Sequence, residues 1–298
     1  MREGSTRVMV STGEPGTVAM HFQDSWSVFD RGPSRQLIPG MGAARCACAV
    51  KSFKLAAEAG VKTHFLSQEA RNVIHVMEFT AAKPETLSDF SYGRVLPLEW
   101  IWRGRVFGSL LARLESGALD KRTLGFAEDT KVTRGTKLPK LILECTTKFE
   151  PVDRHLTDEE ARTLARLSKK EWESAQELVR RFVRRTNERY EEVGYECPDG
   201  KLEIGMMNNG ELVLVDVGAT PDENRILQQG TEKMYCKDLI RDYLKQTPWY
   251  PELQQAKAAC PDDPSRWPAY PELPDDLVQR VAARYKQVAL HYAGVHVG

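Results

Sequence analysis

No stretch of this 298-residue chain approaches the roughly 18 apolar residues of a membrane-spanning helix, and its N-terminus has no apolar secretory segment. A cytoplasmic compartment is the expectation. Net charge is missing too: 42 basic and 42 acidic residues cancel, with no long run of either sign. That balance gives no footing for nucleic acid or an anionic membrane, although a local cluster of arginines would still hold a small anion. The six cysteines (46, 48, 145, 197, 236 and 260) contain no CxxC pair, so reduced thiols are the simplest reading. The six histidines (21, 64, 75, 155, 291 and 296) show no metal-ligand spacing, and His64, inside Thr-His-Phe, reads as a packed side chain.

What is present is a mixture of short strands and helices. Arg7–Ser11 and Thr17–Phe22 read as strands around a Gly13-Glu-Pro-Gly16 turn, and residues 43–60 as a helix closing at Gly60. Strands are expected at 61–66, 73–79 and 96–102, and a helix opens at Gly108-Ser109. Residues 80–92 read as a linker. Residues 157–193 form the strongest helical segment, opened by a Thr157…Glu160 capping box. A helix follows at 236–246, a Pro- and Trp-rich surface segment at 248–274, and a last helix at 275–293. Strands and helices are segregated, which predicts an α+β fold rather than a doubly wound sheet.

The most informative stretch is Lys201-Leu-Glu-Ile-Gly-Met-Met-Asn-Asn-Gly-Glu-Leu-Val-Leu-Val-Asp-Val217. Asn209-Gly210 between two apolar runs predicts a two-residue hairpin loop, because both residues accept positive φ. In that register Glu203 stands directly opposite Asp216, with Cβ atoms roughly 5 Å apart. Like charges so placed destabilise a sheet, and a cation between them reverses the sign; two hard carboxylates with room for water suit Mg²⁺. Two solvated acids, or one acid paired with a basic side chain, would give the same sequence. The apolar face would join Leu202, Ile204 and Met206 to Val213, Val215 and Val217.

Four segments then acquire a common meaning: Pro97-Leu-Glu-Trp-Ile-Trp-Arg103 running on to Gly108-Ser-Leu-Leu-Ala-Arg113, the hairpin itself, Thr220-Pro-Asp-Glu-Asn-Arg225, and Gly60-Val-Lys-Thr-His-Phe65. Together with Lys237-Asp-Leu-Ile-Arg-Asp-Tyr-Leu244 and Pro271-Glu-Leu-Pro274, they resemble the SAICAR synthetase (phosphoribosylaminoimidazole-succinocarboxamide synthase) family, in order and over nearly the whole chain. The resemblance implies a two-lobed α+β fold, with a small antiparallel β lobe (residues 1–85) over the nucleotide. A larger lobe (residues 86–298) would complete the ATP cleft. It implies an ATP- and Mg²⁺-dependent, amide-forming ligase. ATP phosphorylates an azole carboxylate, and the amine of L-aspartate displaces phosphate from the acyl phosphate. The partners are small molecules, and the assembly a monomer or homo-oligomer.

Carried over position by position, the resemblance gives Glu203 and Asp216 to the metal and, with Arg7 and Met77, to the nucleotide. Arg103 and Ser109 would grip a 5′-phosphate, as a guanidinium fork beside a helix start can. Arg225 would be a second phosphate-facing arginine, unless it pairs with its neighbours Asp222 or Glu223. Lys148 would neutralise the reacting carboxylate, and Asp153 would take the amine proton or position metal-bound water. Glu99 would contact the azole, although a buried Glu–Arg pair explains it equally. Trp26, Trp100 and Trp102 lie near these segments and would line the cleft.

Several positions depart from the family pattern. Ser5 replaces a lysine in Glu3-Gly-Ser-Thr-Arg7; Met41 and Arg45 replace Lys and Asn in Gly40-Met-Gly-Ala-Ala-Arg45; Ile74-His-Val-Met77 lacks two lysines. Val152 replaces a His and Val217 a Glu. Losing buried charged contacts costs a few kcal/mol each. Retained metal and phosphate residues beside altered pockets fit a specialised relative, such as one acting on a C-nucleoside analogue in nucleoside natural-product synthesis. A nucleotide-binding module or a kinase-like phosphotransferase on the same fold are the alternatives.

Overall fold

The computed structural model describes residues 2–81, 93–150, 153–261 and 263–298, without the side chains of residues 2 and 3. The proposed lobe boundary at 85/86 and the Val152 substitution lie outside the described residues. Two antiparallel sheets organise the chain. The first runs β1(Arg2–Glu3), β2(Arg7–Ser11), β3(Thr17–Phe22), β5(Val73–Met77), β4(Phe65–Ala70) in spatial order. The helix α1(Met41–Glu58) lies between β3 and β4 in the chain.

The second sheet has the order β12(Leu212–Val215), β11(Asp199–Met207), β7(Leu98–Arg105), β8(Lys137–Thr147), β9(His155–Leu156), with β6(Gly93–Val95) also on β11. A two-stranded ribbon pairs β10(Tyr195–Glu196) with β13(Leu227–Gln228). Residues 62–64 stitch the two sheets together: His64 N–H donates to the Leu214 carbonyl at 3.0 Å, and Leu214 N–H to the Lys62 carbonyl at 2.9 Å. The remaining helices are α2(Gly108–Glu115), α3(Asp158–Leu164), α4(Lys169–Glu192), α5(Asp238–Leu244), α6(Trp249–Ala259) and α7(Asp275–Val288). The α+β architecture therefore matches the expectation.

The hairpin register does not. Met207 N–H bonds to the Glu211 carbonyl at 2.8 Å, so the loop holds Asn208, Asn209 and Gly210, and only Gly210 is left-handed (φ +82°). One extra loop residue shifts the pairing by one position, and Glu203 faces Val215 rather than Asp216. Such a shift exchanges faces. Leu202, Ile204 and Leu214 enter the main core, whereas Val213 and Val215 form a separate cluster with Phe79 and Val95.

Other boundaries moved for local reasons. The long helix of 157–193 is broken: Arg166 is left-handed (φ +53°), and a second capping box, Ser168 with Glu171, restarts it as α4. In the Pro-rich tail, Pro248 and Pro251 fall at the start of α6, where a missing N–H costs little, and good helix formers follow. Trp26, Trp100 and Trp102 are each 1% exposed and belong to the core rather than the cleft. Trp100 packs on Trp172 with centroids 4.8 Å apart, and Trp26 on Tyr270 at 4.4 Å.

Helix α1 is buried along most of its length, and its Ala- and Cys-rich sequence lets β3, α4 and α7 approach closely. Within it Arg45, 1% exposed, pairs Nε with Asp222 Oδ2 at 2.8 Å and donates Nη1 to the carbonyls of Gln23 (2.7 Å) and Ser25 (2.9 Å). Tyr285 on α7 donates to Asp222 Oδ1 at 2.7 Å. Three distant segments meet at that buried knot. Gly42 faces the backbone next door: a Cβ there would lie 2.6 Å from the Phe22 carbonyl oxygen and 2.9 Å from Gln23. Because backbone cannot give way as a side chain can, Gly42→Ala is expected to lower unfolding free energy by about 2–3 kcal/mol. Urea denaturation measures it; an unchanged midpoint would mean the close approach is not real.

Candidate active-site cleft

Strand alternation places the polar residues. On β7, Leu98, Trp100 and Trp102 enter the core, and Glu99, Ile101 and Arg103 point to the opposite face. The register sets Arg103 beside Asp199 and Ile101 beside Lys201 on β11, and Ile101 beside Glu144 on β8. One sheet face thus gathers 99/101/103, 199/201/203 and 144/146, with Lys148 just beyond β8.

Glu203 and Asp216 still share one cavity, by a route the hairpin count did not foresee. Asp216 is left-handed (φ +56°), which breaks strand alternation immediately after Val215. Its carbonyl is held by His64 Nε2 at 2.8 Å, and its carboxylate by Arg7 Nη2 at 2.7 Å. Glu203 is ion-paired with Lys148. The cavity, about 320 Å³, is walled by these four charged groups and by Met9, Met20, Met77, Phe79 and Val95. An apolar wall with converging charges is what a nucleoside bearing phosphates requires.

Burial, and then the Asp216 charge, push the Glu203 carboxyl above the usual range, while Lys148 pulls it back. Burial alone would lower the Lys148 ammonium; Glu203 raises it instead, so Lys148 stays charged. Among the described residues no group of three His, Cys, Asp or Glu stands close enough to hold a metal. Two carboxylates on one cavity wall suit Mg²⁺ in particular, because it keeps several waters and takes phosphate oxygens for its remaining ligands.

The predicted phosphate residues also come together. Arg103, 3% exposed, donates Nε to Glu144 at 2.7 Å and Nη2 to Ser109 Oγ at 2.9 Å, with Asp199 3.7 Å from Nη1. Arg225 pairs with Asp199 and, through Nε, with Asp238 at 2.5 Å; its neighbours Asp222 and Glu223 are not its partners. Gly108 suits this point because its backbone is left-handed (φ +54°), and the missing Cβ leaves room for the Arg225 guanidinium. Ser109 and Arg225 line a second cavity of about 840 Å³, together with Phe29, Asp30 and Tyr250. Asp153 lines this cavity too, whereas Lys148 opens into the first. The Asp153 carboxyl is pushed up to about 6, first by desolvation and then by Glu99 and Asp30.

Glu99 pairs with Lys201 at 3.1 Å rather than with an arginine. Lys201 reaches Glu223 at 3.9 Å, and Glu223 lies 3.6 Å from Arg7, so a chain of alternating charge runs from the first cavity along the sheet face to Glu99. Sequence reading missed Asp199, Lys201, Asp238 and Arg241. The period of two along 199/201/203 was the available signal for the first pair; the i,i+3 spacing on α5 marks the second. It also missed Lys237, which shares a small cavity of about 120 Å³ with Lys201 and Asp199. Burial, then Arg241, lowers the Lys237 ammonium to about 8.

A sequence profile of the family described as SAICAR synthetase matches residues 1–256. A homologue from Archaeoglobus fulgidus is 31% identical over 298 positions, covering 92% of this chain and 87% of that protein. The phosphoribosylaminoimidazole-succinocarboxamide synthase of Thermoplasma acidophilum is 29% identical over 275 positions, covering 91% and 90%. Among solved structures, a SAICAR synthetase in complex with ADP superposes with a TM-score of 0.70 at 23% identity, over 99% of this chain and 98% of that one. The Saccharomyces cerevisiae SAICAR synthase complexed with SAICAR gives 0.74 at 19% identity, over 99% and 94%. Among the described residues no helix is long and apolar enough to cross a membrane.

Buried His64 supplies a pH test of the Asp216 clasp. Burial lowers its pKa from 6.5 to about 4, so the ring stays neutral and donates from Nε2. Between those two values the unfolded chain binds a proton that the folded one does not, and stability falls as pH falls. Thermal melts between pH 7 and pH 4.5 should show a steeper loss in the wild type than in His64→Gln. Equal slopes would remove the neutral-histidine assignment.

Proposed function

The chain belongs to the SAICAR synthetase family of ATP-dependent amide-forming ligases, and from that premise we propose that it joins an azole carboxylate carrying ribose to the amine of L-aspartate. The supporting observation is the chain of alternating charge that runs from Arg7 and Asp216 in the smaller cavity to Glu99 and Lys201 beside the larger one. ATP would occupy the smaller cavity, with its base on the apolar wall that includes Met77 and its phosphates toward Arg7, Glu203 and Asp216. The azole substrate would occupy the sheet face of Arg103, Ser109, Arg225 and Glu99, its phosphorylated end toward the arginines. The division of residues 1–85 from 86–298 is proposed on the same basis, as a nucleotide-covering part and a substrate-holding part.

Amide formation from a carboxylate needs its oxygen converted into a leaving group. In this reading the azole carboxylate oxygen attacks the γ-phosphorus of ATP and ADP departs. The aspartate amine then attacks the acyl carbon and gives up a proton, and phosphate leaves with the electron pair of the broken acyl C–O bond. Phosphoryl transfer depends chiefly on positioning and charge neutralisation. Lys148 faces the transferring group once Glu203 has another partner. Asp153, with its raised pKa, is suited to take the proton released by the amine. Mg²⁺, held by Glu203 and Asp216, would supply neutralisation of phosphate charge.

A specialised heterocycle is the finer part of this proposal. Met77 stands in the nucleotide cavity, on a strand that lacks the family pattern's two lysines, and Arg45 is spent on Asp222 rather than facing a ligand. The first test is release of ADP that requires both an azole carboxylate and aspartate. Release without the amine would favour a phosphotransferase, and nucleotide binding without release would favour a binding module. Asp216→Asn keeps a residue that tolerates the left-handed conformation but removes one charge. It should lower kcat by roughly 10²–10³ with little change in melting temperature. Near-normal kcat would eliminate Asp216 from the metal and phosphate chemistry.

A further inference from the structure

We propose that Arg134 is an additional substrate-binding residue, clamped on Phe107 at the edge of the larger cavity, where it completes the charge needed to retain a phosphate-bearing substrate. The inference rests on the function proposed above, which places the phosphate near Ser109 and Arg225.

The turn that carries Arg134 is built rather than loose. Thr136 N–H donates to the Thr133 carbonyl at 3.0 Å, Thr133 N–H to Thr136 Oγ1 at 2.9 Å, and Gly135 supplies the left-handed position (φ +84°). The turn docks on the strand leading into α2: Gly135 N–H donates to the Val106 carbonyl at 2.8 Å, Val106 N–H to the Thr136 carbonyl at 2.9 Å, and Arg105 Nη1 to the Gly135 carbonyl at 3.1 Å. Phe107, buried immediately before Gly108 and Ser109, holds two guanidinium groups. Arg134 Cζ lies 5.3 Å from its ring centroid, and Arg225 Cζ lies 5.7 Å from it. Arg134, Gly108, Ser109 and Arg225 all line the same cavity.

Charge bookkeeping explains why another cation is needed. Arg103, Arg113, Arg225 and Arg241 are all ion-paired, and they share only three carboxylates: Glu144, Asp199 and Asp238. That group carries about one net positive charge, whereas a phosphate monoester carries about −1.5 to −2 near neutrality. Arg134 has no carboxylate partner among the described residues; its contact is the aromatic ring. Asp30, Asp153, Asp242 and Lys245 also line the cavity, and Lys257 engages Asp30 at 3.1 Å, so these groups add one net negative charge and cancel the surplus of the arginine group. Arg134 therefore brings the net positive charge of the cavity. Stacking on Phe107 orders the Arg134 side chain before ligand arrives, so less rotamer freedom is lost on binding. Arg134 itself is exposed, and its contribution should weaken with salt.

The experiment compares an aminoimidazole carboxylate ribonucleotide with its dephosphorylated ribonucleoside, using ADP release in the presence of aspartate. Arg134→Ala should raise KM for the ribonucleotide roughly fivefold to tenfold, as loss of a charge-assisted contact does. KM for ATP, KM for the ribonucleoside and kcat should stay unchanged. Arg134→Lys should recover part of the loss, and the wild-type advantage should shrink at high salt. An equal effect on both compounds, or none on either, overturns the assignment. Should the wild type release no ADP with either compound, the proposed reaction fails on its own. Thermal-shift titration of the same two compounds against the same variants then decides Arg134. A ribonucleotide shift lost in Arg134→Ala supports it, and a shift absent from the wild type or retained in the variant refutes it.

Discussion

The cleft depends on one backbone residue turned the wrong way. Asp216 adopts a left-handed conformation at the end of β12, and only that turn brings its carboxylate to the side occupied by Glu203. Aspartate tolerates this conformation better than most residues, but the strain still has to be offset. Two contacts do so from the first sheet and its connection: Arg7 on the carboxylate and His64 on the carbonyl. The acid pair is therefore a product of both sheets rather than of the hairpin alone. Moving residues 62–64 relative to β12 would move the charge with them.

From this clasp the rest of the electrostatic pattern follows. Each of these acids meets at least one base: Lys148 serves Glu203, Lys201 serves Glu99 and approaches Glu223, and Arg103 and Arg225 share Asp199. Burial of ionised groups is costly unless they are paired, which explains why the polar residues form continuous chains. Such chains hold side chains in place before substrate arrives. They also mean that, Arg134 apart, a phosphate or metal must exchange partners with residues already engaged.

Much of this was legible in the sequence, and the failures have physical causes. The α+β class, the Thr157–Glu160 capping box, and the gathering of Arg103, Ser109 and Arg225 follow from segregated patterns and matching segments. Glu203 and Asp216 do share a cavity, but not through the register that Asn209-Gly210 predicts: the loop takes three residues and shifts the pairing by one. The left-handed turn at Asp216 then restored the proximity that the register had lost. No local pattern announces such a compensation, because it is fixed by His64 and Arg7, far away in the chain. The tryptophans misled for a simpler reason. Trp100 and Trp102 alternate with Glu99, Ile101 and Arg103, so being adjacent in sequence to cleft residues put them on the opposite face.

The knot of Arg45, Asp222 and Tyr285 has an evolutionary corollary. Arg45 occupies a buried stretch of α1, Asp222 sits in the loop that also carries Arg225, and Tyr285 belongs to α7. Exchanging any one alone would strand a charge or a hydroxyl in the interior. Descendants of this protein should therefore replace these three positions as a set or leave them untouched, so a lineage that acquired the arginine would find the step hard to reverse.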